Sequence, residues 1–380
     1  MTYSVYQHWD PLKLCVVGRS YPPEFYDWIT IPHVRQLFEK IAIETEEDLQ
    51  KIVSTLQSFG VEVLRPELPE TTEIQGKKVP PPLFPRDGMI MIGSTLYDNW
   101  SPDIVGFYNR VKDPNWPEIK NWIDFYELPS YIVDECYRIH GLTKLVNCDQ
   151  NFQYQYKNII DRVVKNNNSV KHSVSSIING AMVSRVGKDL YFSTEFYTQD
   201  NNEILDLVSQ EFLTYRTHVI NSGGHGDGTY CPVCPGLIIS LMDIPTYKDT
   251  FPDWEVVYLP NQSWDKIRPF MDLKKKNNGR WWIPGFEYDQ DVVDVVTTWL
   301  DHWTGYVEET VFDVNMLIID PKNVLVFNYN KQVFDALDRY GIKAHIVNFR
   351  HRYFWDGGIH CVTSDLHRQG QIQDWFPTRS

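Results

Sequence analysis

The sequence lacks several features that would assign it to a common class. No stretch approaches the length of a membrane-spanning helix, and the start, MTYSVYQHWDPLKLCVVGRS, lacks the basic, apolar, small-residue order of a secretory signal. Basic residues are in the minority, with 36 Lys and Arg against 50 Asp and Glu, for a net charge of −14. That balance argues against duplex nucleic acid and anionic membranes as partners. We therefore expect a cytoplasmic protein that acts on small molecules.

Cysteine is also scarce. Six cysteines without regular spacing do not indicate a disulfide framework, so we expect free thiols in a reducing compartment. Cys231 and Cys234 form a C-x-x-C pair that could join His225 and Cys361 in a zinc site, but the usual second pair is missing. The segment GGHGDG lacks the lysine and following Ser or Thr of a phosphate-binding loop. We expect neither a metal nor an organic cofactor.

What the sequence does contain is a repeated pair of short apolar strands joined by a turn. A polar or glycine-containing start leads into each pair, and residues typical of turns separate the strands at 93–94, 186–189 and 320–323. Four such hairpins are RDGMIMIGSTLYDN from Arg86, INGAMVSRVGKDLYFS from Ile178, GDGTYCPVCPGLIISL from Gly226 and FDVNMLIIDPKNVLVFN from Phe312. The two chain ends, HWDPLKLCVVGRS and GGIHCVTSDLHRQG, can pair to form a fifth.

An amphipathic helix and another strand follow most hairpins. Apolar residues at helical spacing predict a helix that begins at Thr45, ends at Gly60 and precedes a strand from Val61 to Leu64. Residues 330–349 repeat this pattern, and 203–220 are a third instance. Five units closed by the two chain ends predict a ring, and therefore a single domain over residues 1–380. The interval at about 100–171 does not fit the repeat and predicts an aromatic-rich, mostly helical insertion.

In such a ring, the residues that lead into the hairpins converge at the centre. These residues are Asp87, Asn179, His225, Asp227, the segment 313–315 and Cys361. A cysteine, a histidine and two carboxylates that converge from distant positions indicate a nucleophilic site for a positively charged substrate.

The same segments resemble the amidinotransferase family, one of the guanidino-modifying enzyme families. The matching motifs, in the family's order, are WDPLKLCVVGR at Trp9, PRD at Pro85, HGDGTY at His225, VNMLIID at Val314 and GGIHCVTSDLHR at Gly357. Together they are spread over nearly the whole chain. The resemblance implies the pentein fold, a five-bladed α/β propeller. It also implies an enzyme that moves an amidino group from a guanidino donor, for which we expect L-arginine, to an amine acceptor.

The resemblance further implies roles for the converging residues. Asp87 and Asp227 match the family's two guanidinium-binding aspartates, since a planar guanidinium pairs well with carboxylates, and Asn315 is assigned to the same substrate site. Cys361 is the expected nucleophile, which forms a covalent amidino-cysteine in a ping-pong cycle, and His225 is the expected general acid and base. Without the resemblance, Cys361 would be interpreted as a buried apolar residue and Asp87 as a turn residue.

Two positions depart from the family's pattern. Asn179 stands where members place an acidic partner for the catalytic histidine, and an asparagine can fix the imidazole tautomer but cannot stabilise its charge. Catalysis is then weaker, or a neighbouring acid such as Glu195 substitutes. Ile244 stands where glycine-using members carry an arginine for the acceptor carboxylate, which argues against glycine as the acceptor.

Two other functions stay open on the sequence alone. One is a guanidine hydrolase of the same superfamily, a deiminase or dihydrolase, in which water discharges the intermediate. The other is a noncatalytic guanidinium-binding protein, although the presence of both Cys361 and His225 argues against it. A symmetric homodimer is the default expectation for the assembly.

Overall fold

The structure, a computed structural model, describes residues 3–69, 72–74, 77–98, 156–165, 167, 169–174, 179–194, 208–222, 225–241, 243–259, 283, 285–286, 289–300, 303 and 312–379. These residues form five three-stranded sheets, a small hairpin of Glu73–Ile74 and Lys77–Lys78, and the helices around them. No helix within these ranges has the length and apolar character that a membrane crossing requires.

The five sheets share one topology. In each, two strands pair antiparallel as a hairpin, and a third strand runs parallel to the hairpin's second strand. In chain order, the sheets are Thr363–Arg368, Leu12–Val17 and Glu62–Leu64 in the first; Met89–Ile92, Thr95–Asp98 and Lys171–Val174 in the second; Val183–Val186, Asp189–Thr194 and Arg216–Asn221 in the third; Tyr230–Cys234, Leu237–Ser240 and Glu255–Tyr258 in the fourth; and Leu317–Asp320, Asn323–Val326 and Lys343–Ile346 in the fifth. The first sheet joins the two chain ends, and the predicted five-bladed α/β propeller is confirmed.

The hairpin turns lie where the sequence predicts them. Gly93 and Gly187 have φ values of +57° and +67°, in the left-handed region that glycine adopts without a steric penalty. In the fifth sheet, Asp320 Oδ1 accepts a hydrogen bond of 2.8 Å from the backbone N–H of Lys322, so the side chain closes the turn.

The first long helix begins earlier than predicted. It spans Pro32–Ser58, with the proline in the first turn, where a missing N–H removes no intrahelical bond. Thr45, predicted as its start, lies inside the helix and is buried, and its hydroxyl accepts a 2.8 Å hydrogen bond from Trp355 Nε1. The predicted end is confirmed, because Gly60 has a φ of +74° and the strand Glu62–Leu64 follows it.

The helix of the fifth unit agrees with its pattern. It spans Lys331–Arg339, and Asn330 Oδ1 accepts hydrogen bonds from the backbone N–H groups of Gln332 and Val333. In the third instance, the strand Arg216–Asn221 is present, whereas residues 195–207 lie outside the described ranges. The remaining helical segments are the α-helices Pro85–Gly88, Tyr247–Thr250, Gln290–Val295 and Arg352–Trp355, the π-helical Val296–Leu300, and the 3-10 helices Pro23–Trp28, Gly180–Met182 and Gly226–Gly228.

The end of the segment predicted as an insertion continues the repeat. The helix Lys157–Lys165 buries Ile159, Ile160 and Val163 in a cluster with residues of the first and second sheets, and Lys171–Val174 completes the second sheet. Most of the predicted insertion, residues 99–155, lies outside the described part of the chain.

A buried ionic cluster joins the sheets near the centre. Asp365 accepts hydrogen bonds from three guanidinium groups: Arg86 Nη1 at 2.7 Å, Arg185 Nη2 at 2.7 and 2.9 Å, and Arg368 Nε at 2.6 Å. Arg368 also donates from Nη2 to the backbone carbonyl of Ile318 in the fifth sheet. Because these residues come from the first, second, third and fifth units, the cluster fixes the units relative to one another beneath the site.

Candidate active site

Short helical turns at the starts of the hairpins bring the predicted site residues together. Pro85–Gly88 carries Asp87 and contacts Gly180–Met182, which in turn contacts Gly226–Gly228. Asn179 precedes the second of these turns, His225 precedes the third, and Asp227 lies within the third. Asn315 precedes the fifth sheet, and Cys361 lies two residues before the first strand of the first sheet. Glycine and proline in these segments permit the close approach, since a Cβ on Gly180 would lie 2.3 Å from the carbonyl oxygen of Arg86.

Cys361 lies in a carboxylate-lined environment. Its half-buried thiol donates towards Asp227 Oδ2 at 3.7 Å, and Asn315 Nδ2 donates to its sulfur at 3.2 Å. Burial raises the pKa of the Cys361 thiol well above its usual 9.0, and the negative charges of Asp227 and Asp87 raise it further. The empty site therefore holds the neutral thiol at neutral pH.

Asp227 is a largely buried carboxylate, and one of its two oxygens forms a hydrogen bond with His360. His360 Nδ1 lies 2.7 Å from Asp227 Oδ2, while Asp227 Oδ1 is buried and has no hydrogen-bond partner among the described residues. Burial acts to raise the pKa of Asp227, but the hydrogen bond and charge of His360, with His225 and Arg86, outweigh it and lower the pKa. Asp227 is thus ionised, with Oδ1 able to accept hydrogen bonds from a bound group.

His225 and Asp87 form the more open side of the site. His225 Nδ1 lies 4.0 Å from Asp87 Oδ1, and their side chains are 20% and 16% exposed. The imidazole is therefore close to one carboxylate and still accessible to a small molecule. This is a suitable environment for a group that exchanges protons with a substrate.

Asn179 and Asn315 bind backbone groups within the site. Asn179 is buried and its Oδ1 accepts a hydrogen bond of 2.8 Å from the backbone N–H of Ala181, which caps the short helix after it. Its role as a partner of His225 stays a prediction, and the alternative acid Glu195 lies outside the described residues. Asn315 Oδ1 accepts from the backbone N–H of His360 at 2.8 Å, so this residue also links the loop of Cys361 to the fifth unit.

Sequence reasoning missed three contributors to the site. His360 contacts Asp227, Arg86 supports the loop of Cys361 by donating to the carbonyl oxygens of residues 360 and 363, and Gly358 lets that loop approach Asn315. A Cβ on Gly358 would lie 2.1 Å from Asn315 Oδ1. Glycine at 357 and 358 is visible in the sequence as an indication of close packing, but its partner is not.

The structure also places two other features of the sequence: Ile244, which departs from the family's pattern, and the C-x-x-C pair considered as a zinc site. Ile244 is 4% exposed and packs in the apolar cluster that includes Tyr247. Cys231 and Cys234 are free thiols on one strand. Across the described ranges, the single trio of His, Cys, Asp or Glu ligand atoms within 4.8 Å of one another is His33, Asp289 and Asp291, which includes none of the predicted site residues.

Comparisons with known proteins agree with the resemblance seen in the sequence motifs. The chain matches no protein-family model. The mitochondrial glycine amidinotransferase of Xenopus tropicalis is 21% identical over 421 residues, covering 98% of this chain and 84% of the relative. Inosamine-phosphate amidinotransferase 1 of Streptomyces glaucescens is 21% identical over 409 residues, covering 98% of both chains. Over nearly its whole length, the chain is therefore similar to amidinotransferases.

The fold of the chain agrees with that of a solved structure. An amidinotransferase of saxitoxin biosynthesis from Microseira wollei superposes with a TM-score of 0.57 at 17% sequence identity, covering 98% of this chain and 99% of the other. The likeness extends over the whole ring of five sheets, and it is a likeness of fold.

Proposed function

We propose that the protein transfers an amidino group from L-arginine to an amine through a covalent intermediate on Cys361. The observation that carries this proposal is the state of Asp227. One carboxylate oxygen is held by His360, the other is buried without a partner in the described part of the chain, and the thiol of Cys361 is 3.7 Å away. A buried anion next to a nucleophile requires a cation, and a planar guanidinium satisfies both its charge and its free oxygen.

In this proposal, donor binding activates the nucleophile. Asp87 and Asp227 bind the guanidinium N–H groups and hold the central carbon against Cys361. Burial and, after it, the two carboxylates raise the pKa of the Cys361 thiol, and a bound cation offsets the part that is due to the carboxylates. When the substrate arrives, the Cys361 thiol therefore gives its proton to His225 and becomes the thiolate, which limits side reactions of the thiol before a donor binds.

The chemical steps then follow in order. The Cys361 thiolate attacks the guanidinium carbon, and an S–C bond forms to give a tetrahedral adduct. The bond between this carbon and the donor's alkyl nitrogen breaks as His225 gives that nitrogen a proton, which releases ornithine and leaves an amidino-cysteine. An incoming amine loses a proton to the now neutral His225 and attacks the same carbon, and the S–C bond breaks to return the thiolate.

The acceptor in this proposal is an amine that does not depend on residue 244 for recognition. Ile244 is buried in the apolar core, so no guanidinium stands at the position where glycine-using relatives carry their arginine. This supports an acceptor other than glycine. The free thiols at 15, 231, 234 and 361 support a reducing, cytoplasmic setting, and a symmetric dimer is the expected assembly.

A label-transfer assay tests the proposal. The protein is incubated with arginine labelled at the guanidino carbon and a panel of amines, with Cys361→Ser as the control. Ornithine together with a labelled guanidino product, both missing with the control, is the expected result. Labelled citrulline would instead assign the hydrolase, and arginine binding without any product would assign a noncatalytic guanidinium-binding protein.

A further inference from the structure

We propose that His360 is a positioning residue that holds the Asp227 carboxylate in the orientation required to bind a planar cation beside Cys361. This inference rests on the proposed function, because it gives His360 a part in recognising the guanidino donor. His360 itself lies behind Asp227 and acts on the substrate through that carboxylate.

The backbone and ring of His360 are fixed from several directions. Its N–H donates to Asn315 Oδ1 at 2.8 Å, its carbonyl oxygen accepts from Arg86 Nε at 3.4 Å, and its Nδ1 lies 2.7 Å from Asp227 Oδ2. The residue is 8% exposed. Three different units of the ring therefore determine where the imidazole Nδ1 lies.

The charge states determine the direction of the hydrogen bond. Burial and then the charge of Arg86 lower the pKa of His360. For Asp227, burial acts to raise the pKa, but the hydrogen bond with His360 and the nearby positive charges outweigh it, so the carboxylate stays ionised. An ionised carboxylate can only accept, so the proton between the two groups belongs to the imidazole whether the ring is neutral or charged. The proton therefore lies on Nδ1, and His360 donates to Asp227 Oδ2.

Packing alone does not hold Asp227 in place. Asp227 is one of the residues that line a small pocket of about 20 Å³, together with His360 and His8. Because packing around Asp227 is incomplete at this pocket, the hydrogen bond from His360 supplies the restraint that keeps Oδ1 directed to its unpaired position. Loss of the Nδ1 donor then releases Asp227, even where the fold is intact.

A pair of matched alkylating reagents tests this role without requiring turnover. Chloroacetamidine carries a planar amidinium, and chloroacetamide is its neutral counterpart. With either reagent, the Cys361 thiol loses its proton to the buffer, its sulfur forms an S–C bond with the reagent's methylene carbon, and chloride leaves with the electron pair of the C–Cl bond. The ratio of the two alkylation rates measures how well the carboxylates recognise a cation, because a general change in thiol reactivity or stability affects both rates together.

The variants separate the hydrogen bond from simple packing. His360→Asn keeps a donor near the Nδ1 position, whereas His360→Gln moves the donor away and His360→Leu removes it. We expect the rate ratio to fall about tenfold or more in His360→Leu and His360→Gln and to stay within about threefold of wild type in His360→Asn. His345→Asn, at a distant histidine that contacts Asn323, should leave the ratio unchanged.

The outcomes are distinguishable from failure of the proposed function. An unchanged ratio in His360→Leu and His360→Gln, or an equal loss in all three His360 variants, would overturn the positioning role. The wild-type protein is assayed in parallel for labelled product from arginine. A wild-type preference for the cation that depends on His360, without amidino transfer, would contradict the proposed reaction and still support the positioning of Asp227.

Discussion

The buried carboxylate of Asp365 offers the sharpest test of what holds the ring together. Its side chain is fully buried, as are those of Arg86 and Arg185, and Arg368 is 2% exposed. Asp365→Asn preserves the shape of the side chain and removes its charge. Three guanidinium groups would then share one neutral amide, whose NH₂ group would also face donors instead of acceptors.

The expected loss is large on the scale of protein stability. Removing one partner of a buried ion pair costs about 3–5 kcal/mol, and the whole stability of a typical domain is about 5–15 kcal/mol. Burial acts to raise the pKa of Asp365, but Arg185, Arg86 and Arg368 outweigh it and hold the pKa well below its usual range. Because the folded-state pKa is depressed, this contribution is present above the unfolded pKa of about 3.9 and is lost as the pH falls through the folded value.

Urea unfolding at pH 7, followed by tryptophan fluorescence, measures this loss. We expect Asp365→Asn to lower the free energy of unfolding by about 3–5 kcal/mol or to prevent folding. The control is Asp335→Asn, which breaks the exposed pair with Lys331 and should leave the unfolding midpoint unchanged. A loss below about 1 kcal/mol in Asp365→Asn would refute the structural role of the cluster.

Three further predictions concern the site. Asp87→Asn should raise the KM for arginine and at the same time speed iodoacetamide alkylation of Cys361 at pH 7, because Asp87 adds to the effect of burial and Asp227 in raising the thiol pKa; an unchanged KM or a slower alkylation would contradict the assignment. Gly358→Ala places a Cβ 2.1 Å from Asn315 Oδ1, so it should slow formation of the amidino adduct while far-ultraviolet circular dichroism stays that of wild type; a wild-type rate would count against the Asn315 contact. His225→Ala should slow single-turnover release of ornithine by about a hundredfold or more with little change in arginine affinity, and a loss of affinity alone would remove its role in proton transfer.

The ring was predictable because its information is local. Apolar strands and turn residues such as Gly187 each act within a few residues of sequence, and each is confirmed. The start of the first long helix was not predictable in this way. Thr45 has the chemistry of a cap, but its hydroxyl bonds to Trp355, more than three hundred residues away. A tertiary contact therefore used a residue that local rules assign to a helix end.

The parts of the site that escaped prediction depend on distant partners. Asp365 lies in a short strand of mixed polarity, and nothing in the strand indicates that Arg86 and Arg185 converge on it from other units. His360 is next to Cys361 in the sequence, yet its function depends on Asp227, which is 133 positions away. A motif can indicate which residues converge, whereas the order of hydrogen bonds among them depends on the folded geometry.

The central claim is that Cys361 becomes covalently amidinated, and intact-protein mass spectrometry tests it directly. Wild-type protein and Cys361→Ala are incubated briefly with arginine, quenched with acid and weighed. We predict that wild type alone gains the mass of one amidino group, and that an amine which serves as acceptor removes it. Turnover of arginine by Cys361→Ala, or a wild-type mass that stays unchanged while labelled guanidino product accumulates, would contradict the account.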